Sequence, residues 1–324
     1  MFGLTRAAAR PTAERAEADR NMSFSSTLIL GVNGGFGRLF YEHLSRPGVR
    51  VGGVDLGPAP AACVSPSRYI RADATVPSAE ASAALKEADC VIVCLPEAAA
   101  LAAVAPLLER LSSGALLVDT LSVKTEYLGR LRGARRDFEC LSINPMFAPD
   151  IGFRGQNVAA IEARGGPACG RFVSMMRGWG AAVTTMKAEE HDRLTAFTQV
   201  ATHAALIAFG SALYSGGYDT SAALKIATPP HRLLLSLLAR ILLADPEVYW
   251  EIQHRNPLAG EVREGLRRGL SELEEAGASQ TSAEFARMLK GIRGALGPEA
   301  EALAEHASKV LRCGDDKRRG DSDD

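Results

Sequence analysis

The chain carries no surplus of charge: 37 Lys and Arg stand against 38 Asp and Glu, a formal net charge of −1 over 324 residues. That balance offers no electrostatic handle to a nucleic-acid backbone or an anionic membrane, so neither is an expected partner. Cys63, Cys90, Cys94, Cys140, Cys169 and Cys313 show no CxxC or CxH spacing. This speaks against a structural zinc or a disulfide framework, and no metal is expected. Cys90 and Cys94 sit in an apolar run and read as core thiols. No apolar run reaches the ~20 residues of a membrane helix. Residues 1–26 lack the apolar stretch of a secretory signal and hold three acidic residues. They are expected to form a disordered extension, as is the charged tail 313–324. A cytoplasmic protein is the expectation.

What is present is ordinary globular usage, 47% hydrophobic and 23% charged, on a length that suits two domains. Between residues 27 and 188, short β-rich runs alternate with helical segments. The runs are Thr27–Gly31, Val49–Asp55, Cys90–Leu95, Ala115–Val118, Phe138–Ile143, Val158–Glu162 and Ala181–Met186. Gly37–Leu44, Ser82–Glu87 and Ala98–Leu111 have helical spacing. This alternation predicts a mostly parallel, doubly wound α/β sheet covered on both faces. From Glu189 to Arg312, long amphipathic stretches such as His191–Tyr214, Arg232–Leu243 and Ser282–Leu296 replace the strands, which predicts an all-α domain.

The first strand runs into Gly31-Val32-Asn33-Gly34-Gly35-Phe36-Gly37, a glycine turn that opens a helix. Gly34 lets the backbone approach a pyrophosphate, and Gly37 lets the helix pack against the strand. The match to GxGxxG is imperfect, because Val32 stands at the first glycine and Gly31 comes one place early. Asp55 ends the second apolar run, where an acid bonds the adenosine ribose and disfavours a 2′-phosphate. It could equally cap its strand beside the Gly57-Pro58 turn. Strand, turn, helix and acid in this order predict a Rossmann-type domain binding NAD. Leu95 and Pro96 close a strand where a loop would pass the nicotinamide ribose.

Four further segments resemble the prephenate dehydrogenase family. Asp119-Thr120-Leu121-Ser122-Val123-Lys124 looks like its Asp-x-x-Ser-Val-Lys. Asn144-Pro145-Met146-Phe147-Ala148-Pro149 looks like its His-Pro-Met-Phe-Gly-Pro. Glu190-His191-Asp192 resembles the opening of its helical domain, and Asp245-Pro246-Glu247-Val248-Tyr249 its Asp-Pro-x-x-Tyr. The resemblance covers roughly residues 28–300. It implies a Rossmann-type dinucleotide domain followed by an all-α dimerisation domain, a homodimer, and an active site between the domains. Only about 27 residues precede the glycine turn, so no chorismate mutase domain is expected there, nor a regulatory domain after the helices. The resemblance implies that Ser122 sits between substrate and nicotinamide and that Arg240 pairs with a substrate carboxylate, a task suited to a bidentate guanidinium. Arg232, two turns earlier, reads either as a second substrate contact or as a surface ion pair. His203 reads as a substrate-side residue or a satisfied core histidine. His191 reads as a helix-start cap or a ligand contact, and Lys124 as an organiser of local structure or a ligand contact.

The departure is Asn144. In the family a histidine there accepts a hydrogen bond from the substrate hydroxyl as hydride leaves the same carbon. A carboxamide cannot serve as a base at neutral pH. An amine in place of the hydroxyl removes the need, because its lone pair supports the cation and an iminium is a weaker acid than a protonated ketone. The expected substrate is therefore 4-amino-4-deoxyprephenate, as in the branch of the family serving 4-aminophenylalanine-derived antibiotics. The alternatives are a prephenate dehydrogenase of tyrosine synthesis and a non-catalytic NAD-binding regulator.

Overall fold

Runs of Val, Ile and Leu form the strands at the centre of the first half, and their side chains alternate between two buried faces. The computed structural model describes residues 24–59, 68–134 and 137–319, with side chains through Arg312. The chain divides into two compact units, residues 1–192 and 193–324.

The first unit holds β1 (Ser26–Leu30), β2 (Arg50–Asp55), β3 (Tyr69–Arg71), β4 (Cys90–Val93), β5 (Leu116–Asp119), β6 (Glu139–Pro145), β7 (Asn157–Arg164) and β8 (Ala182–Thr185). They lie in the order β3-β2-β1-β4-β5-β6-β7-β8. All neighbours pair parallel except β6 and β7, where Asn144 faces Ala159. The order reverses between β1 and β4, the switch point at which such sheets bind dinucleotides. Leu28, Leu30, Val91, Val93 and Leu117 belong to one core, toward α2 (Ala79–Glu87), α3 (Glu97–Arg110) and α4 (Thr125–Arg132). Ile29, Cys90, Ile92, Leu116, Val118 and Ile143 point into the other core, which α1 (Gly35–Leu44) and α5 (Pro167–Gly178) cover.

All seven expected strands form. β3 is an addition, too short to show a period in the sequence. The extension expected over residues 1–26 lies outside the described residues up to 23. Beyond that it gives way to structure: Phe24 is buried with its ring 6.2 Å from that of Phe172, and Ser26 opens β1. Burying an aromatic ring outweighs ordering two serines.

The first unit ends in α6 (Ala188–Thr195), whose His191 and Asp192 are buried. The division between the two units falls within this helix, at 192/193.

The helical unit continues with a π-helical stretch (Ala196–Ala201), α7 (Thr202–Ser215), α8 (Thr220–Leu224), α9 (Pro229–Leu242), α10 (Pro246–Arg255), α11 (Ala259–Ala278), α12 (Ala283–Leu296) and α13 (Glu299–Arg319). The last helix, rich in Glu, Ala, Leu, Lys and Arg as far as Arg312, runs on to Arg319 in the stretch expected to be disordered. Residues 320–324 lie outside the described residues. By length and composition alone, Ala188–Ser215 is apolar enough to cross a membrane, which the run-length reading passed over. Its opening turns hold Glu189, Glu190, His191, Asp192 and Arg193.

This unit buries little by itself. Its core is Ala196, Val200, Ile252, Ala259 and Val262, while Phe197, Leu237, Leu242, Leu243, Trp250 and Ile292 remain exposed.

Candidate active site

The glycine turn is dictated by close approaches. Gly31 has φ +79°, and a Cβ there would stand 2.2 Å from the Cys94 carbonyl oxygen. Gly37 would bring a Cβ to 2.2 Å from the Gly31 oxygen, so α1 crosses β1 only because both are glycine. Thus Gly31, one place early in the motif, performs the tight turn, and its N–H bonds the Val54 carbonyl at 2.8 Å. Gly31→Ala is expected to lower stability by about 2–4 kcal/mol through the left-handed backbone and the clash. Urea denaturation checks this, and a loss below about 1 kcal/mol would mean the turn can relax.

Gly34 caps α1, and among the described residues no side chain caps the first-turn N–H groups. They are left to an anion. A cleft of about 410 Å³ opens beside it, lined by Gly31, Asn33, Gly34, Asp55, Leu56, Thr75, Leu95 and Pro96 among others. Asp55 does cap the end of β2 beside the Gly57 turn. Its Oδ2 accepts from Asn33 N–H (2.9 Å) and its Oδ1 from Gly57 N–H (3.1 Å). A carboxylate has about four acceptor sites, so a ribose hydroxyl still finds one. Cleft, uncapped helix start and acid together fit a dinucleotide without a 2′-phosphate.

The Asn144 segment packs directly on this turn. Phe36 meets Phe147 edge-on at 5.8 Å, and a Cβ on Gly35 would strike Pro149 at 2.4 Å. Gly35 is therefore glycine for the sake of Pro149, a contact no spacing rule discloses.

Asn144 is buried at the end of β6, and its Nδ2 lies 3.1 Å from His191 Nε2. His191 Nδ1 lies 2.8 Å from Asp192 Oδ1. Asp192 also accepts from the N–H groups of Lys124 and Thr125, each at 3.1 Å, and from the Thr125 hydroxyl. The side chain of His191 thus reaches the Asn144 amide from the fourth position of its helix. Sequence reading had the Glu-His-Asp motif in hand but no means of joining it to residue 144.

Lys124 is fully buried. Its Nζ donates to Asp119 Oδ1 (3.2 Å) and to the Ile143 carbonyl (2.6 Å), one residue before Asn144. It organises the site's backbone from beneath. Burial pushes its ammonium below the usual lysine range, while Asp119 pulls the other way. Asp119 Oδ1 also accepts from Ser142 Oγ (2.9 Å) and Leu121 N–H (3.2 Å). Ser122 lies half-buried in the same loop.

In the helical unit the His203 ring meets Tyr249, the last residue of the Asp245–Tyr249 motif, edge-on at 4.9 Å. Burial lowers the His203 pKa, and its Nδ1 has no hydrogen-bond partner among the described residues. Arg232 donates to the Leu224 carbonyl (2.8 Å) and the Ala227 carbonyl (3.1 Å), fastening the turn after α8. Arg240 is exposed near the end of α9.

Residues 187–291 match the family described as "Prephenate dehydrogenase, dimerization domain". A 4-amino-4-deoxyprephenate dehydrogenase of Streptomyces pristinaespiralis is 42% identical over 291 residues, spanning 89% of this chain and 98% of the relative. The T-protein of Enterobacter agglomerans is 26% identical over 90% of this chain and 73% of its own. Among solved structures, prephenate dehydrogenase from Aquifex aeolicus, in complex with hydroxyphenyl propionate and NAD+, superposes with a TM-score of 0.61 at 20% identity. That match covers 83% of this chain and 96% of the other. Forty-two per cent identity to a named dehydrogenase over nearly the full length of both chains, with all four motif segments recognisable, places this chain in the prephenate dehydrogenase family.

Proposed function

We propose that this protein is an NAD-dependent dehydrogenase that oxidatively decarboxylates 4-amino-4-deoxyprephenate to 4-aminophenylpyruvate, CO2 and NADH. The observation that carries it is Asn144, a buried carboxamide where the family motif has its histidine base. The S. pristinaespiralis relative bears the name of the same activity, and the T-protein is the more distant of the two.

NAD+, when bound, supplies the hydride acceptor. Gly31, Gly34, Gly35, Phe36 and Gly37 would hold its pyrophosphate, Asp55 its adenosine ribose, and Leu95 and Pro96 the approach to its nicotinamide. Asn144 accepts a hydrogen bond from the substrate amine and leaves its lone pair free to support positive charge as hydride departs from C4. The C4 iminium then draws in the electrons released with CO2, and the ring becomes aromatic with the amine already neutral. No base is consumed, so a carboxamide suffices. Arg240 anchors a carboxylate, with His203 and Arg232 on the substrate side of the helical unit, and Ser122 lies between substrate and nicotinamide. The exposed apolar residues of the helical unit suit a homodimer. The enzyme would act in the cytoplasm, in the synthesis of antibiotics derived from 4-aminophenylalanine.

The test is NADH formation with prephenate and with its 4-amino analogue. The amine should be preferred by more than about a hundredfold in kcat/KM, roughly 2.7 kcal/mol. Equal or better turnover of prephenate overturns the amine reading. Cofactor binding without turnover of either substrate would make the protein a regulator.

A further inference from the structure

The hydrogen bond between Asn144 and His191 fixes more than a distance. Asp192 is its anchor. Burial alone would raise that carboxyl, but hydrogen bonds from His191, Thr125 and the Lys124 backbone hold it below the usual carboxylate range. An ionised carboxylate only accepts, so His191 Nδ1, 2.8 Å away, carries a proton. Burial lowers the His191 pKa and the nearby Lys124 ammonium adds to this, against the pull of Asp192 and Asp119. The ring is neutral, and Nε2 holds a lone pair. The Asn144 atom 3.1 Å from that lone pair must donate. It is the amide nitrogen, which leaves Oδ1 as the other arm of the carboxamide, not engaged with Nε2.

We propose that His191, held by Asp192, is a positioning residue that turns the Asn144 carboxamide so that Oδ1, not Nδ2, meets the substrate's 4-amino group. The inference rests on the amine reading above and deepens it. An amide turned by 180° would present an N–H to the amine nitrogen and engage its lone pair. Those are the electrons that must support the cation as hydride leaves. The oxygen instead accepts an amine N–H and leaves the lone pair free. Orientation of this one group therefore acts on the transition state more than on binding. The Asp192-His191-Asn144 chain sets, through two hydrogen bonds, the acceptor character that a family histidine would have at its outer nitrogen.

The experiment uses the NAD-loaded full-length protein and two variants. His191→Phe keeps a ring but removes the acceptor, and His191→Gln places an amide oxygen near the position of Nε2. With the amine substrate, His191→Phe should lower kcat about tenfold or more, the scale of one neutral hydrogen bond, with KM changed less than about threefold. His191→Gln should recover most of that loss. A uniform loss on both substrates with no recovery in the glutamine variant, or no loss at all, overturns the proposal. A nitrogen-15 NMR spectrum of histidine-labelled wild-type protein decides independently of whether the variants fold. The His191 signals, identified by their disappearance in His191→Gln or in Asn144→Ala through their shift, should show a protonated Nδ1 and an unprotonated Nε2 at neutral pH. The opposite tautomer or an imidazolium overturns the proposal. The wild-type preference between the two substrates tests the amine reading separately: it can fail while the tautomer stands, or hold while the tautomer fails.

Discussion

Asn144→His is expected to raise kcat/KM for prephenate by about 10²–10⁴-fold, the usual contribution of a positioned general base, and to lower it for the amine. The scaffold is ready for the change. His191 Nε2 accepts a hydrogen bond 3.1 Å from the Asn144 nitrogen, and an imidazole in place of the amide can donate one N–H to the same lone pair. Its other nitrogen then faces the substrate with a lone pair of its own. That nitrogen can take a hydroxyl proton as the carbonyl forms, which a carboxamide cannot do. With the amine substrate, the same imidazole adds a base that the reaction does not use and, wherever it protonates, a cation beside the positive charge that develops as hydride leaves. Initial rates of NADH formation on both substrates check this. A variant that keeps the wild-type ratio would mean that residue 144 does not set the choice, and that the hydroxyl proton is handled elsewhere.

The parts of this site that could be read in advance are those a local pattern encodes. Fully apolar four-residue strands such as Cys90–Val93, a glycine turn and an acid at the end of β2 mark a Rossmann-type sheet from composition and order alone. The motif residues could be named from resemblance, with Asn144 standing out as the departure. What stayed hidden are meetings between side chains far apart in sequence. Asn144 and His191 are 47 positions apart, and no periodicity links a strand end to the fourth residue of a helix. Gly35 gave no sign that Pro149 required it. Arg232 read as a substrate contact or an ion pair, and its bonds to two backbone carbonyls had no sign in the sequence. Phe24 sits among polar neighbours and shows no pattern, although its ring is in the core. Local signals fix elements. The partners of polar side chains are set by packing, which the linear chain does not display.

Lys124 carries the largest expected effect on stability, and the reason is electrostatic. Its ammonium is fully buried, 3.2 Å from Asp119 Oδ1, and the Asp119 side chain is itself only 1% exposed. Asp119 Oδ2 has no hydrogen-bond partner among the described residues. Lys124 is therefore the cation that compensates this carboxylate, and Ser142 Oγ and Leu121 N–H supply only dipoles. Lys124→Met fills the space and removes the charge, leaving Asp119 buried and uncompensated. Breaking one partner of a buried pair costs about 3–5 kcal/mol. Adding Asp119→Asn should recover at least about half of the loss, since an amide is far cheaper to bury than an unpaired carboxylate. Urea denaturation at one protein concentration measures both, since any self-association would make stability depend on concentration. Activity should follow a different course. The Lys124 ammonium also donates to the Ile143 carbonyl at 2.6 Å, so the double variant regains stability without regaining the strut beneath Asn144. A double variant restored in stability yet slow in turnover would assign Lys124 both tasks. Full recovery of turnover would reduce it to a counter-charge, and a loss below about 1 kcal/mol in Lys124→Met would mean that the buried pair contributes little to stability.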